Sequence, residues 1–342
     1  MKHQITKLAL GALVLLCACE PKVVKVGVAM DIVDGRWAKD REFIQEKITE
    51  LGGEAIFKVS KNNEEIQERQ VQELIDADID VLIIVPCNSQ KAASMVAAAK
   101  EEDIKVIAYD RLISNADLDM YVTFDNMKVG EMQANYLLSK VPKGNYVLLG
   151  GSPSDNNAKM FKDGQMKALD ASIKSGDVKI VYNGWANAWN PDKAYEQVLQ
   201  VLASGVTIDA ILASNDMLAT GAIRAMKEKQ VTNSVVIVGQ DADRDACRRI
   251  ANQQQAMTIY KPVKDLAFSS AVAAVMLANE QPIPNMNSKT NNGKKDVPSI
   301  LLPPVQVDEH NIIQTVVADG FVPKQYIYGE SGRPKKKEVT LE

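Results

Sequence analysis

The chain has 342 residues, with 40 lysines and arginines against 44 aspartates and glutamates, a formal net charge of −4, and 46% hydrophobic residues. This is an ordinary globular composition, which excludes collagen-like and low-complexity chains. A slightly acidic chain also gives no general reason to expect a nucleic-acid partner. At a typical size of about 100–200 residues per domain, the length predicts two domains.

The N-terminus has the organisation of a signal peptide. Two lysines flank the start of an apolar run over 8–16, which is too short to span a bilayer. Residues 16–19 resemble a bacterial lipobox, which implies a lipoprotein signal peptide over 1–19 and lipidation of Cys19. Cleavage by an ordinary signal peptidase after Ala18 is the alternative. Both interpretations place the protein outside the cytoplasm, and lipidation would anchor it to a membrane.

Two cysteines remain after this segment. Cys87 follows a predicted strand and Cys247 lies in a helical pattern, so a disulfide between them would have to join two lobes. We therefore predict two unpaired, mostly buried thiols. The chain has no Cys-x-x-Cys pair, and His3 and His310 are its two histidines, so a classical zinc site has almost no ligands. Neither a metal nor a cofactor is expected.

From residue 23 onward, short β-branched apolar runs alternate with longer stretches of helical period, which indicates an α/β fold. Five strands predicted for a first sheet cover 23–29, 55–59, 81–85, 105–109 and 121–124. Four predicted for a second sheet cover 146–149, 178–182, 210–213 and 235–238. The helices predicted between them cover 37–51, 64–77, 90–102, 127–139, 159–173, 192–203 and 218–229. A strand at 257–260 and a helix at 263–278 follow.

Two halves with the same element order predict two doubly wound open-sheet lobes joined by a multi-strand hinge. The N-terminal lobe is expected to comprise 23–125 plus 259–298, and the C-terminal lobe 126–258 plus 299–330. A disordered tail is expected at 331–342. Ligands of open α/β sheets bind at the carboxyl ends of the strands, so functional residues are expected there.

Planar polar groups and indole rings follow the predicted strands. Carboxylate, guanidinium and amide heads each engage two neighbouring hydroxyls of a sugar, and an indole covers the apolar face of a pyranose. Because Trp37 and Trp189 lie in strand-end loops beside such polar side chains, we assign them to the ligand. We assign Trp185 to packing. We likewise assign Asn215 to the ligand and Asp216 to capping the helix that follows. The pattern predicts a polyol site.

Eight stretches resemble the type I periplasmic sugar-binding proteins of bacterial ABC import systems. They are RWAKDR at 36–41, AYDR at 108–111, FDN at 124–126, GGSPSDNNAK at 150–159, ASND at 213–216, GQDAD at 239–243, TIYKP at 258–262 and NNGKKDVPS at 291–299. The resemblance implies a type I periplasmic binding protein fold. It implies sugar contacts from Arg36, Trp37, Asp110, Arg111, Asn157, Trp189, Asn215, Asp241 and Lys261.

The same resemblance implies what the protein does. It implies a monomer that captures a monosaccharide, with D-xylose as the expected sugar, and delivers it to the membrane permease of an ABC transporter. A sugar sensor that presents its ligand to a membrane receptor is the alternative.

Enzymes of related fold require motifs that this chain lacks. It has neither the Gly-x-Gly-x-x-Gly of dinucleotide-binding proteins nor the phosphate loop of NTPases. A glycosidase requires two carboxylates in different protonation states, whereas Asp110 and Asp241 are expected to have cationic or hydroxyl partners that keep both ionised. We therefore predict a binding protein without enzymatic activity.

Overall fold

A computed structural model of the chain describes residues 23–33 and 36–329. The predicted signal peptide, the predicted lipidation site Cys19 and the predicted tail at 331–342 lie outside the described residues. Among the helices of the described ranges, none is long and apolar enough to cross a membrane.

The first half of the chain alternates strands and helices in the predicted order. Its elements are β1 Lys25–Met30, α1 Arg36–Glu50, β2 Glu54–Val59, α2 Glu64–Ile75, β3 Val81–Ile84, α3 Ala92–Glu101, β4 Lys105–Tyr109 and β5 Met120–Phe124. Every residue of β3 and β5 is buried, as expected of parallel strands covered on both faces.

The second half repeats this alternation. Its elements are α4 Asn126–Lys140, β6 Gly144–Gly150, α5 Asn156–Lys174, β7 Val178–Trp185, α6 Pro191–Ala203, β8 Ala210–Ala213, α7 Asp216–Glu228, β9 Val236–Val238 and α8 Arg244–Ala251. A 3-10 turn at Asn187–Trp189 precedes α6. The Asn190 side chain caps α6 and Pro191 takes its first position, as predicted.

The last part of the chain returns to both sheets. Its elements are β10 Thr258–Tyr260, α9 Val263–Ala278, β11 Ser288–Asn291, β12 Asp296–Leu302, β13 Val305–Val307 and α10 Lys324–Tyr328, with a π-helical turn at Ile313–Val317 before α10. The strand and helix predicted at 257–260 and 263–278 are confirmed. The strands β11 to β13 were not predicted.

The strands form two main sheets, which confirms the predicted α/β class. The first has the order β11-β12-β5-β4-β3-β1-β2 and is parallel except for β11. The second has the order β7-β6-β8-β9 and is parallel throughout. The antiparallel pair β10–β13 adjoins the second sheet through a bridge between Val238 and Met257.

The predicted lobe boundary at 298/299 falls inside β12 and is wrong for 299–302. These residues pair with β5, from Ser299 opposite Tyr121 to Leu302 opposite Phe124, so they lie in the first sheet. The error arose because the polar edge strand β11 and the proline in β12 hide the strand pattern. The predicted boundary at 258/259 likewise falls inside β10, whose Ile259 and Tyr260 pair with β13 beside the second sheet. The rest of the division into lobes stays a prediction.

Helices cover both faces of each sheet. α1 and α9 pack on one face of the first sheet and α2 and α3 on the other. α6 and α7 cover one face of the second sheet, and α4 and α5 the other. The chain passes between the sheets three times, after β5, β10 and β12, and these passages lie beside the strand ends where the functional residues gather.

Helices α4 and α5 cross with their backbones in close contact. A Cβ built on Gly130 would lie 2.0 Å from the carbonyl oxygen of Phe161, and one built on Gly164 would lie 2.1 Å from the carbonyl oxygen of Met127. These two glycines therefore set how closely the two helices approach.

A polar group is buried in α1. Asp40 is inaccessible to solvent, its Oδ1 accepts a hydrogen bond from the Tyr109 hydroxyl, and its Oδ2 has no partner within the described residues. Burial raises the pKa of Asp40 to about 6, and the positive charge of Arg36 offsets only part of this.

We expect Gly130→Ala to destabilise the protein by about 1–3 kcal/mol or more, because the added methyl group meets a backbone carbonyl that cannot move alone. In an open helix the same change is stabilising by about 0.5–1 kcal/mol, so the sign itself tests the crossing. Urea unfolding measures the difference. Lys128→Ala, on the exposed face of the same helix, should stay within about 0.5 kcal/mol of the wild type.

The Asp40 carboxyl should make the protein more stable at pH 5 than at pH 7. The folded state binds a proton more tightly than the unfolded state between the ordinary pKa of 3.8 and about 6, so stability rises as the pH falls through this window. Urea unfolding at both pH values should show a gain that Asp40→Asn reduces by about 1 kcal/mol. An unchanged pH dependence in the variant would contradict the assignment.

Candidate functional site

The carboxyl ends of the two sheets face a common cleft of about 650 Å³, within the ordinary range for small-molecule sites. Loops that follow parallel strands meet at one edge of a sheet, which explains why the predicted residues converge. The cleft is lined by all nine residues predicted to contact the ligand: Arg36, Trp37, Asp110, Arg111, Asn157, Trp189, Asn215, Asp241 and Lys261.

Asp110 directly follows β4 and is a buried carboxylate with three partners. Arg36 Nη2 donates to Asp110 Oδ2 at 2.6 Å, Asn157 Nδ2 donates to Oδ1 at 2.8 Å, and Lys261 Nζ lies 3.9 Å from Oδ2. Burial by itself would raise the pKa of Asp110, but the charges of Arg36 and Lys261 outweigh it and hold the pKa well below its ordinary value. Asp110 is therefore an ionised hydrogen-bond acceptor.

Arg111 connects the two sides of the cleft. It forms an ion pair with Asp31 at the end of β1, and its Nε lies 3.0 Å from Oδ2 of Asp155, which caps α5 in the second half of the chain. Asp155 also accepts a hydrogen bond from Trp189 Nε1 at 3.2 Å. Burial opposes the charge of Arg111, but the two carboxylates raise its pKa above the ordinary value.

The two tryptophans assigned to the ligand line opposite sides of the cleft. Trp37 follows Arg36 in α1, and the guanidinium carbon of Arg36 lies 4.1 Å from the centre of the Trp37 ring. Trp189 packs edge-on against Phe161 at 6.3 Å between ring centres. A Cβ on Gly151 would lie 2.2 Å from Trp189 Cη2, so the indole lies directly on the glycine backbone.

Trp185 is not among the residues that line the cleft. It ends β7 with 36% of its surface exposed, and the ammonium group of Lys162 lies 3.8 Å from its ring centre. Trp185 therefore lies outside the cleft, as its assignment to packing predicts. Its ring lies on the surface, however, and not in a core.

The capping role predicted for Asp216 is wrong, because Asn215 caps α7, while the assignment of Asn215 to the ligand stays a prediction. Asn215 is the N-cap of α7, with its Oδ1 accepting from the backbone N–H of Leu218 at 3.0 Å, while its amide nitrogen remains available as a donor in the cleft. Asp216 is the first residue of the helix and is fully buried behind the cleft. Asn and Asp are nearly equal as caps, so residue type could not decide between the two neighbours.

Asp241 and Lys261 bring charge from the second sheet. Asp241 follows β9, accepts from Gln240 Nε2 at 2.7 Å, and lies 3.8 Å from Lys261 Nζ. Lys261 lies in the passage between β10 and α9, and its burial lowers its pKa although Asp110 and Asp241 act in the opposite direction. The lysine therefore lies between two carboxylates from different sheets.

Backbone strain is concentrated at the cleft. Asp110, Ala188, Trp189 and Asp241 all line it, and all have positive φ angles, of 60°, 54°, 57° and 99°. Left-handed backbone is unfavourable for residues other than glycine and persists where the surroundings enforce it. These side chains are thus aimed by backbone conformations that the surrounding structure holds.

Several residues of the cleft were not predicted. Two of them, Asp31 and Gln240, follow strands β1 and β9 within two residues. Like the predicted Arg36, each carries a buried polar atom with no hydrogen-bond partner within the described residues. The strand-end rule, applied to every strand, would have found them. Cys87 also lines the cleft, unpaired as predicted, and burial raises the pKa of its thiol to about 11.

Cys247 is likewise unpaired and buried. Within the described residues, no group of three or more His, Cys, Asp or Glu side chains is arranged to hold a metal ion. Hydrogen-bonding side chains and aromatic rings make up most of the cleft lining.

Two relatives match nearly the whole chain. The D-xylose-binding periplasmic protein of Escherichia coli K12 is 45% identical over 323 residues, which covers 94% of this chain and 98% of that protein. The D-xylose-binding periplasmic protein of Haemophilus influenzae is 44% identical over 325 residues, with coverage of 93% and 96%.

Solved structures and a family profile agree with these relatives. An ABC transporter solute-binding protein from Clostridium phytofermentans with bound β-D-glucose superposes with a TM-score of 0.84 at 28% identity, covering 89% of this chain and 99% of that one. A carbohydrate transporter solute-binding protein from Chloroflexus aurantiacus in complex with D-glucose gives 0.83 at 30% identity, covering 89% and 98%. The profile described as "Periplasmic binding protein domain" matches residues 26–282. The chain has the type I fold and belongs to the periplasmic binding protein family.

Proposed function

We propose that this protein captures a monosaccharide, D-xylose, between its two lobes and delivers it to the permease of an ABC importer. The observation that carries the proposal is the ionised Asp110, held by Arg36, Asn157 and Lys261 in a cleft that also contains two indole rings. A fixed carboxylate beside fixed cations offers acceptors and donors to neighbouring hydroxyls, and charge makes such hydrogen bonds stronger. The relatives from Escherichia coli and Haemophilus influenzae, at 45% and 44% identity, are named for D-xylose.

In this proposal the nine residues contact different parts of the sugar. Trp37 and Trp189 cover its apolar faces, and the other seven, Arg36, Asp110, Arg111, Asn157, Asn215, Asp241 and Lys261, bind its hydroxyls. The unpaired atoms Asp31 Oδ1, Arg36 Nη1 and Gln240 Oε1 are further groups that a polyol would satisfy. Leaving buried polar atoms unpaired is costly, so hydroxyls that complete their hydrogen bonds favour binding.

The finer features of the proposal concern how the protein is presented. The family is periplasmic, and the lipobox-like residues 16–19 support lipidation of Cys19, which would anchor the protein to a membrane. We propose that it acts as a monomer. We also propose that it acts without catalysis, because Arg36 and Lys261 hold Asp110 ionised and so unsuited to act as a general acid.

We expect D-xylose to bind with one-to-one stoichiometry at about 1 µM or tighter, since about ten non-hydrogen atoms at about −0.8 to −1 kcal/mol each give about −8 to −10 kcal/mol. Trp37→Ala should weaken binding at least about tenfold through loss of the apolar contact. Isothermal titration calorimetry measures both. Trp185→Ala, which removes an indole outside the cleft, is the matched control and should change the affinity less than about twofold.

No heat with saturating D-xylose would contradict the proposed ligand, and a panel of pentoses and hexoses would then identify another sugar. Equal losses in Trp37→Ala and Trp185→Ala would remove Trp37 from the site.

Binding should also close the lobes. Contacts from both lobes form together only in the closed state, so the sugar favours that state by its difference in affinity. The three passages after β5, β10 and β12 are the natural hinge. Small-angle X-ray scattering should show a smaller radius of gyration with sugar than without. Superimposable curves in a sample that calorimetry shows to be saturated would exclude closure on binding.

A further inference from the structure

A buried carboxylate lies behind the cleft without lining it. Asp216, the first residue of α7, is inaccessible to solvent and accepts hydrogen bonds from three donors. Its Oδ1 lies 2.7 Å from Gln255 Nε2, and its Oδ2 lies 2.8 Å from Thr258 Oγ1 and 3.0 Å from the backbone N–H of Asp243. Burial, followed by the charge of Asp243, raises the pKa of Asp216 well above its ordinary value, and the hydrogen bonds from Gln255 and Thr258 offset only part of this. The network is therefore defined by its hydrogen-bond geometry.

Thr258 extends this network towards the cleft. It is fully buried in β10, and its hydroxyl donates its proton to Asp216 while its oxygen accepts from the backbone N–H of Ala242 at 3.1 Å. The carboxylate of Asp216 thus holds the N–H of Asp243 directly and that of Ala242 through the threonine hydroxyl. These two residues immediately follow Asp241, whose side chain lines the cleft.

The turn held in this way is strained. Asp241 has a φ angle of 99° and Ala242 one of 52°, both in the left-handed region, and neither is a glycine. Such a conformation persists only when its surroundings enforce it. A Cβ on Gly239 would lie 2.1 Å from Asp216 Oδ1, so the carboxylate occupies space that a side chain would need and lies against the segment leading into the turn.

We propose that Asp216 and Thr258 are positioning residues that hold the 241–243 turn in the conformation that presents Asp241 to the sugar. This inference rests on the proposed function, and it assigns a role in affinity to two residues that do not touch the ligand. A purely structural role is the competing explanation, because both side chains are buried.

The test uses a threonine pair of variants and a double-mutant cycle. Thr258→Val keeps the shape of the side chain but removes both hydrogen bonds, and Thr258→Ser keeps the hydroxyl. Calorimetry with D-xylose should show at least a tenfold loss for Thr258→Val and less than a threefold loss for Thr258→Ser. In an Asp241→Ala background, Thr258→Val should cost less than a further twofold, because the residue it positions is gone.

Asp209→Asn is the matched control. Asp209 lies directly before the amino end of β8, at the end of the strand opposite to the cleft. Its Oδ2 accepts a hydrogen bond from the backbone N–H of Asn145 at 2.7 Å. This variant removes a carboxylate from the same lobe, remote from the cleft, and should bind D-xylose like the wild type. If Thr258→Val fails to fold, Asp216→Asn, which keeps one oxygen acceptor, replaces it. We expect the same loss of affinity in the wild-type background and the same small loss in the Asp241→Ala background.

A second measurement does not depend on the sugar. Amide hydrogen exchange of the 241–243 turn in the ligand-free protein should be at least tenfold faster in Thr258→Val than in Thr258→Ser, while α4 keeps its protection. Faster exchange throughout the lobe would indicate a structural role and overturn the inference.

Different results would overturn the proposed function and the positioning role. A wild-type protein that binds none of the sugars overturns the proposed function, and with it the role in affinity. A wild-type protein that binds D-xylose overturns only the positioning role if Thr258→Val binds equally well. The same conclusion follows if Thr258→Val loses the same factor with and without Asp241, since the damage would then be acting elsewhere.

Discussion

The charge of Asp110 is the constraint on which the rest of the cleft depends. A buried ion costs several kcal/mol unless neighbouring charges and hydrogen bonds compensate it, so the fold must deliver its partners accurately. They come from three separate elements: Arg36 begins α1, Asn157 lies in the first turn of α5, and Lys261 lies in the passage after β10. Because these elements belong to both halves of the chain, the compensation of one charge requires that the two sheets present their carboxyl ends to each other.

The strain at the cleft follows from the same requirement. A side chain that must reach a fixed ligand position from the end of a strand often needs a backbone turn that an ordinary φ angle does not provide. Asp110, Trp189 and Asp241 meet this need with positive φ angles, and hydrogen bonds hold the backbone of each. Tyr121 and Thr123 donate to the Asp110 carbonyl, and the N–H groups of Trp189 and Asp241 donate to the carbonyls of Ala186 and Ile259. A turn that hydrogen bonds within the protein hold in place loses less conformational entropy when a ligand binds.

Much of the fold and of the cleft could be predicted from the sequence, and the features that were not predicted have physical reasons. The apolar runs predicted all nine strands of the βα repeats, because buried parallel strands require them. The nine residues that the family resemblance implied as sugar contacts agree with the strand-end rule and line one cleft. The strands β11 to β13 escaped because Ser288–Asn291 is a polar edge and β12 contains a proline. The helix cap was assigned to Asp216 and not to Asn215 because capping propensity does not distinguish the two residues. Only the three-dimensional position of Gln255 and Thr258 shows that Asp216 is held behind the cleft.

The charges of the cleft also bear on how a neutral sugar could control the shape of the protein. Lys261 lies 3.9 Å from Asp110 and 3.8 Å from Asp241, so one ammonium group relates carboxylates that follow strands of different sheets. Any rotation about the three passages changes at least one of these distances, and in a buried site such a change has a larger energetic effect than it would in water. A sugar adds no net charge to this balance. Water screens these ion pairs when the lobes separate, whereas a bound sugar excludes that water from the closed cleft. The sugar therefore stabilises most the arrangement in which all three charges are close.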